Sequence, residues 1–395
     1  MPTEQLDRVE ESVRERYAKG AQAAEPGLCC PGRDAEEDEY LKALPREIVE
    51  KDYGCGTPSR WARAGDTVLD LGSGAGKACY VLAQKVGPTG RVTGVDFNDA
   101  MLALARKHHP AVTRAIGYDN VRFVKGRIQD LALDLERAQR WLVSHPIRTV
   151  EDLGPYESEC ARLRREEPMI GSDSVDLVVS NCVLNLVRPQ DKERLFAEIF
   201  RVLKRGGRAV ISDIVCDEEP TAQMQNDPEL WSGCISGAFR EDRFPAMFEQ
   251  AGFHGVEILS RADKPWQIIE GIEFRSMTVR AYKGKQGPCF ERHQAALYKG
   301  PWKAVTDDDG HTYERAVRTA VCDKTYKLLT DANGPYAGQV IGIEPENAVP
   351  LEQAQPFDCS TPAIRDVRVT KSGAPSTSRG GTTDAPCCGP GGGCC

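Results

Sequence analysis

The sequence predicts an α/β fold built on a mostly parallel sheet. Three observations carry that prediction. Strand-like and helix-like segments alternate from residue 66 to residue 260, a glycine-rich turn joins the first strand to the first helix, and an aspartate ends the second strand. Alternation is informative because parallel neighbours need a crossover connection, which is usually a helix.

The elements follow in order. TVLDLGSG supplies strand one and KACYVLAQKV its helix. RVTGVDF is strand two, and the helix over NDAMLALARKHH takes Asn98 or Asp99 as its N-cap. VRFVKG is strand three and SVDLVVS strand four; an amphipathic helix ending at KRGG precedes RAVISDI, strand five. VEILS and SMTVRAYK close a seven-stranded sheet. Between strands three and four, LALDLERAQRWLVSHPIRTVEDLGPYESECARLRREEP is too long for an ordinary connection, which predicts a helical insertion over 127–172. The domain plan is then a helical N-terminal segment with a thiol loop (1–50), the α/β domain (51–262), a smaller α+β domain (263–370) and a Gly/Ser/Thr/Pro-rich disordered tail (371–395).

Composition narrows the class. A net charge of −8 argues against nucleic acid or an anionic membrane surface as partner. No apolar run reaches the ~18 residues that cross a bilayer, and the charged N-terminus lacks the apolar core of a signal peptide. A soluble, cytoplasmic, monomeric chain is expected. Fifteen cysteines, an odd number, argue against a disulfide framework in that compartment. They should divide into ligand or redox-active thiols and buried apolar filler.

The turn reads Asp70-Leu-Gly72-Ser73-Gly74-Ala-Gly76. A dinucleotide fingerprint needs glycine at position 77, where Lys77 stands. Asp70 would face a pyrophosphate unfavourably and suits a zwitterionic amino-acid moiety. Asp96, 24 residues after Gly72, is placed to accept hydrogen bonds from a ribose diol, and Phe97 to pack on an adenine. Over residues 50–260 this pattern resembles the Rossmann-like S-adenosylmethionine-dependent methyltransferases. The resemblance implies S-adenosylmethionine as cofactor and puts Gln129 at the adenine; Asn181, ending strand four, joins the expected cofactor set.

Cys182 follows Asn181 at the carboxyl edge of the sheet, where ligands bind in such folds. Cys55 in DYGCG and Cys234 in WSGCISGA have glycine neighbours that should leave their sulfurs accessible, unlike Cys79 in ACYVL. Three such thiols without histidine make a poor zinc site and suit a soft, trigonal, thiophilic centre, which points to trivalent arsenic. DYGCG, DLGSGAGKACYVL, SNCVLNL and ELWSGCISGAF together resemble the arsenite methyltransferases, over about residues 8 to 330. The resemblance implies conversion of arsenite, free or thiol-conjugated, to methylated arsenicals for detoxification, with thioredoxin or glutathione as reductant. It implies that Cys182 and Cys234 hold the arsenic, with Cys55 as the third candidate ligand. Cys55 and the Cys29/Cys30 loop would take part in thiol exchange and disulfide formation, and Tyr53 would lie near the cofactor.

The vicinal pairs Cys387-Cys388 and Cys394-Cys395 are candidate chelators of arsenite or zinc. Cys79, Cys160, Cys216, Cys289, Cys322 and Cys359 are expected as filler. Two other readings stand beside the main one. A methyltransferase of a quinone or sterol carbon would leave Cys55, Cys182 and Cys234 unexplained. A non-catalytic metalloid-binding protein would have no need of Asp70, Gly72, Gly74 and Asp96.

Overall fold

The structure, a computed structural model, describes residues 3–25, 35–359 and 363–371. Cys29, Cys30, Cys387, Cys388, Cys394, Cys395 and all of the expected tail beyond Lys371 lie outside the described residues. Two units result, one running to Gly287 and including Asp331–Ala337, the other formed by Pro288–Thr330 and the chain from Gly338 onward.

In the first unit, β1 (Thr67–Leu71), β2 (Arg91–Asp96), β3 (Val121–Lys125), β4 (Val175–Asn181) and β5 (Leu203–Cys216) are parallel. With β6 (Phe239–Arg240), β7 (His254–Arg261), β8 (Gln267–Ile269) and β9 (Ile272–Tyr282) they make a nine-stranded sheet. Its main path of seven runs β3-β2-β1-β4-β5-β9-β7, with β6 beside β5 and β8 beside β9. The central strands read as unbroken apolar runs because both faces are covered. Leu69, Leu71, Val178 and Ile211 point into one core with Phe196 and Ile199; Val68, Leu177, Val179 and Val210 point into the other with Tyr80 and Leu102.

The helices are α1 (Thr3–Gln22), α2 (Asp38–Leu41), α3 (Arg46–Glu50), α4 (Lys77–Val86), α5 (Asp99–Ile116), α6 (Leu135–Ser144), α7 (Leu153–Glu166), α8 (Pro189–Val202), α9 (Ala222–Gln225), α10 (Pro228–Ser232) and α11 (Arg243–Gln250). Asn98 caps α5, its side chain accepting the amides of Ala100 and Met101 at 3.0 and 3.3 Å. The 127–172 region carries α6 and α7, which close on Leu133, Ala138, Cys160 and Leu163.

Two expectations shift. The helix before strand five stops at Val202, and KRGG belongs to β5, where the pairing with β4 slips between Val175 and Leu177 and Gly206 takes φ 81°. A glycine in that conformation absorbs the irregularity as a bulge. The boundary expected at 262 moves to Gly287, because β9 pairs antiparallel with β5 along Arg208–Cys216 and cannot be cut from the sheet.

The second unit holds β10 (Phe290–Glu291), β11 (Ala295–Tyr298), β12 (Ala304–Thr306), β13 (Thr312–Glu314), β14 (Arg318–Ala320), α12 (Asp323–Thr330), β15 (Val340–Ile343) and β16 (Gln355–Pro356). β11 lies between β14 and β15, and β10 pairs with β16. Among the described residues no helix is long and apolar enough to cross a membrane.

Candidate functional site

β1 ends at Leu71 and the chain turns into α4 through Gly72, Gly74 and Gly76, all at positive φ (71°, 51° and 88°). Glycine reaches that region without the cost a Cβ imposes. A Cβ on Gly72 would stand 2.5 Å from Cγ1 of Val183, and one on Gly76 2.8 Å from the Phe123 ring; one on Gly74 meets nothing within 4 Å. Gly74 therefore faces open space. Its amide donates to Asp96 Oδ2 at 2.8 Å, while the Asn98 amide donates to Oδ1 at 2.8 Å, so the carboxylate at the end of β2 is held from both sides.

Gly72, Gly74, Asp96 and Asn98 line a cleft at the carboxyl ends of the parallel strands, together with Tyr53, Asp70, Ser73, Phe97, Gln129, Asn181 and Cys182. Gly76 does not line it and serves helix packing instead. Two expected cofactor contacts are spent within the protein. The Asn181 side chain accepts the amides of Cys55 (2.8 Å) and Gly56 (3.0 Å) and donates to the Gly56 carbonyl (2.8 Å). The Tyr53 hydroxyl donates to the Gly20 carbonyl at 3.0 Å and accepts the Glu25 amide at 3.2 Å. The Ser73 hydroxyl is buried without a hydrogen-bond partner among the described residues.

Burial pushes the Asp70 carboxyl up to about 7; a hydrogen bond from the Cys79 thiol opposes this, and Asp52 and Asp96 add to it. Burial likewise raises Asp96, against the amides it accepts. Two buried acids facing one cleft are matched to a ligand carrying a cation and hydroxyl donors, and the open cradle over Gly74 leaves room for it. The residues thus fit S-adenosylmethionine. The native state keeps a proton on Asp70 up to about pH 7, whereas an unfolded aspartate loses it near ~4. The stability this group contributes is therefore greatest at low pH and is lost as pH rises from about 4 to about 7. Without cofactor, the melting temperature should fall over that range more steeply in the parent than in Asp70→Asn. A cationic ligand favours the carboxylate, so cofactor affinity should rise with pH up to about 7 and then level off. Parallel melting curves for parent and variant would reject this assignment.

Of the three thiols Cys182 lines the cleft, and Cys55 and Cys234 pack with it in one buried cluster. Cys55 and Cys182 form a disulfide with Cα atoms 5.7 Å apart, and the Cys234 thiol donates to the Cys182 carbonyl oxygen at 3.3 Å. Cys182 and Cys234 both adopt left-handed backbone, φ 60° and 65°. That conformation costs a non-glycine residue about 1–3 kcal/mol and clusters at functional sites. The expected accessibility is corrected: Cys55, Cys182 and Cys234 are only 6%, 5% and 5% exposed. The neighbouring glycines serve close approach instead, since a Cβ on Gly54 would lie 2.1 Å from Asn181 Nδ2 and one on Gly56 2.5 Å from Ser212 Oγ.

Several contributors have no separate signature in the sequence. Asp213 lies within 4.8 Å of both disulfide sulfurs, accepts the Leu184 and Asn185 amides, and is pushed up to about 6 by burial. The Asn185 side chain donates to the carbonyls of Ile214 (2.7 Å) and Cys234 (3.2 Å), tying the turn after β4 to the Cys234 loop. From α1, Glu10, Val13 and Tyr17 line the cleft, and Tyr17 hydrogen-bonds Cys234. Burial first, then Cys234, push the Tyr17 phenol well above its ordinary value. The spacing of Val13, Tyr17 and Ala21 at i, i+4 and i+8 was the available signal. Lys77, out of place in a dinucleotide fingerprint, pairs with Asp52 at 3.0 Å and Glu37 at 3.1 Å.

A parallel sheet, a three-glycine turn, an acid ending β2 and a cleft across the strand ends define an S-adenosylmethionine-dependent methyltransferase. A methyltransferase-domain family model matches residues 62–252, and a domain of unknown function matches 285–375. The arsenite methyltransferase of Aquipseudomonas alcaligenes is 30% identical over 351 residues, covering 84% of this chain and 90% of its own length. The Mus musculus arsenite methyltransferase is 28% identical, covering 82% and 76%. The crystal structure of an arsenic (III) S-adenosylmethionine methyltransferase from Chlamydomonas reinhardtii matches with a TM-score of 0.54 at 27% identity, over 83% of this chain and all of that one. The chain belongs to the arsenite methyltransferases.

Proposed function

We propose that this enzyme methylates trivalent arsenic held by cysteine thiolates beside the cleft, with Cys182 and Cys234 holding it through the methyl transfer and Cys55 as the exchanging ligand. The observation that carries this is the meeting of Cys55, Cys182 and Cys234 from three distant segments beside the cleft, two of them in strained backbone. S-adenosylmethionine, held by Asp70, Asp96, Phe97, Gln129 and the Gly72–Gly74 backbone, supplies an electrophilic methyl group.

The protein's own work is positioning. Each thiol that displaces a hydroxyl from As(OH)3 releases its proton with that hydroxyl as water, and Asp213, near two of the sulfurs, is placed to carry it. The bound arsenic keeps its lone pair, which is the nucleophile, so no base is needed for the transfer. In keeping with this, no histidine lines the cleft among the described residues. Fixing the nucleophile where the methyl arrives gains effective molarity.

Methylation formally takes two electrons from arsenic; after the transfer the bond from Cys182 to arsenic breaks as Cys182 forms the disulfide with Cys55, and the two sulfurs return those electrons. A thiol reductant, thioredoxin or glutathione in a reducing cytoplasm, then reopens the pair. Mono- and dimethylated arsenicals are the products, and detoxification the role. The quinone or sterol reading leaves the three thiols without a task.

The test is product formation against redox state. Protein incubated with S-adenosylmethionine and arsenite should yield methylated arsenicals over many turnovers only with a thiol reductant present. Protein carrying the mapped Cys55–Cys182 bond should be inert until reduced. Full turnover with that bond intact would contradict the proposal.

A further inference from the structure

Cys289, Cys322 and Cys359 were expected as filler, and the structure overturns that expectation. They precede β10, precede α12 and follow β16 of the second unit, yet their sulfurs lie within 4.8 Å of one another. Bonds of ~2.3 Å, the zinc–thiolate length, put two sulfurs on one ion at most ~4.6 Å apart. The 4.8 Å bound on the trio stands only ~0.2 Å above that limit, so at most a small side-chain adjustment brings the three sulfurs onto a single centre.

It is also not packed as a core. Cys322 is buried, but Cys289 and Cys359 are partly exposed. Cys322 and Cys359 border a small pocket with His311, Tyr313, Thr325 and Phe357. The Thr325 amide donates to Cys322 Sγ at 3.4 Å, as it would to a thiolate.

The donor set selects the occupant. Zinc in a structural site asks for four ligands, and here no carboxylate or imidazole completes the set among the described residues. The nearest histidine is committed: His311 pairs through Nδ1 with Asp307 Oδ2 at 2.9 Å and through Nε2 with the Cys359 carbonyl at 3.1 Å. Three soft sulfurs suit a thiophilic centre that forms three bonds and keeps a lone pair, and the adjoining pocket leaves space beside it.

We propose that Cys289, Cys322 and Cys359 form a second thiophilic site, which takes trivalent arsenic from arsenite as a trithiolate. Three As–O bonds break and three As–S bonds form; each thiol proton leaves with a hydroxyl as water, and no electrons change hands. The bound arsenic ties three segments distant in sequence, so loading stabilises the second unit. The site is independent of the cleft chemistry.

The test compares the reduced full-length protein with Cys289→Ser/Cys322→Ser/Cys359→Ser. Both are loaded with arsenite and gel-filtered, and bound arsenic is counted by mass spectrometry. The triple variant should hold about one arsenic per chain fewer, with the same decrement when Cys182→Ser/Cys234→Ser is also present. Because the decrement is read in that background too, this site and the cleft reading fail separately. Unchanged S-adenosylmethionine titration shows that the first unit of the triple variant is folded. If the variant does not fold, Cys359→Ser alone should show a smaller arsenite-induced rise in melting temperature than the parent. An unchanged arsenic count in the folded triple variant overturns the proposal, as does an undiminished arsenite-induced rise in Cys359→Ser. So does a zinc ion found on these three cysteines that arsenite does not displace.

Discussion

Replacing Cys182 or Cys234 with serine is expected to reduce arsenic methylation to background while leaving S-adenosylmethionine affinity within about twofold. Serine is nearly isosteric, but its hard hydroxyl is a poor ligand for a soft centre. Neither sulfur contacts the Gly74–Asp96 bond that organises the cofactor loop. Cys55→Ser should behave differently. It should lose activity on inorganic arsenite yet retain it on methylarsenite, which has one valence already on carbon and needs only two protein thiolates. Rates on both substrates, with calorimetry of cofactor binding in each variant, decide the matter. Equal loss on the two arsenicals would rule out the division of roles between Cys55 and the Cys182/Cys234 pair. A glycine at position 182 or 234 separates chemistry from folding, because it relieves left-handed backbone strain and still removes the ligand.

Gly74→Val should abolish S-adenosylmethionine binding. Gly74 sits at φ 51° facing open space in the cleft, so a branched side chain both strains the turn and fills the cradle. Asp96→Ala should weaken binding by about 1.5–3 kcal/mol, the usual worth of a hydrogen bond to a charged group. Part of that loss will reflect the loop, because Asp96 also anchors the Gly74 and Asn98 amides. Calorimetry on both variants tests the placement, and affinities equal to the parent's would put the cofactor elsewhere.

What the sequence by itself determined lies within short stretches of chain. The apolar runs VLDL, VDLVV and AVISDI encode strands covered on both faces. Gly72, Gly74 and Gly76 encode a turn that needs positive φ, and Asn98 encodes a helix start. Each is a matter of local backbone sterics or of a side chain reaching an amide two or three residues away. The cofactor residues inherit their legibility from this, because Asp70 and Asp96 stand at strand ends and strand ends are locally encoded.

Only the tertiary structure decided which groups meet. Cys55 and Cys182 are separated by 127 residues, and it is the parallel pairing of β1, β4 and β5 that sets Asn181 against the Cys55 loop and Asp213 beneath it. The glycines around Cys55 gave no hint whether they expose the sulfur or admit a neighbour, since absence of a side chain permits both. Tyr17 and Asn185 look like ordinary helix and turn residues until Cys234 is brought beside them. Cys289, Cys322 and Cys359 each sit in a plain local setting, and nothing within a few residues of any of them encodes the other two. Proximity between distant segments is fixed by how buried faces pack, and that is a property of the whole chain.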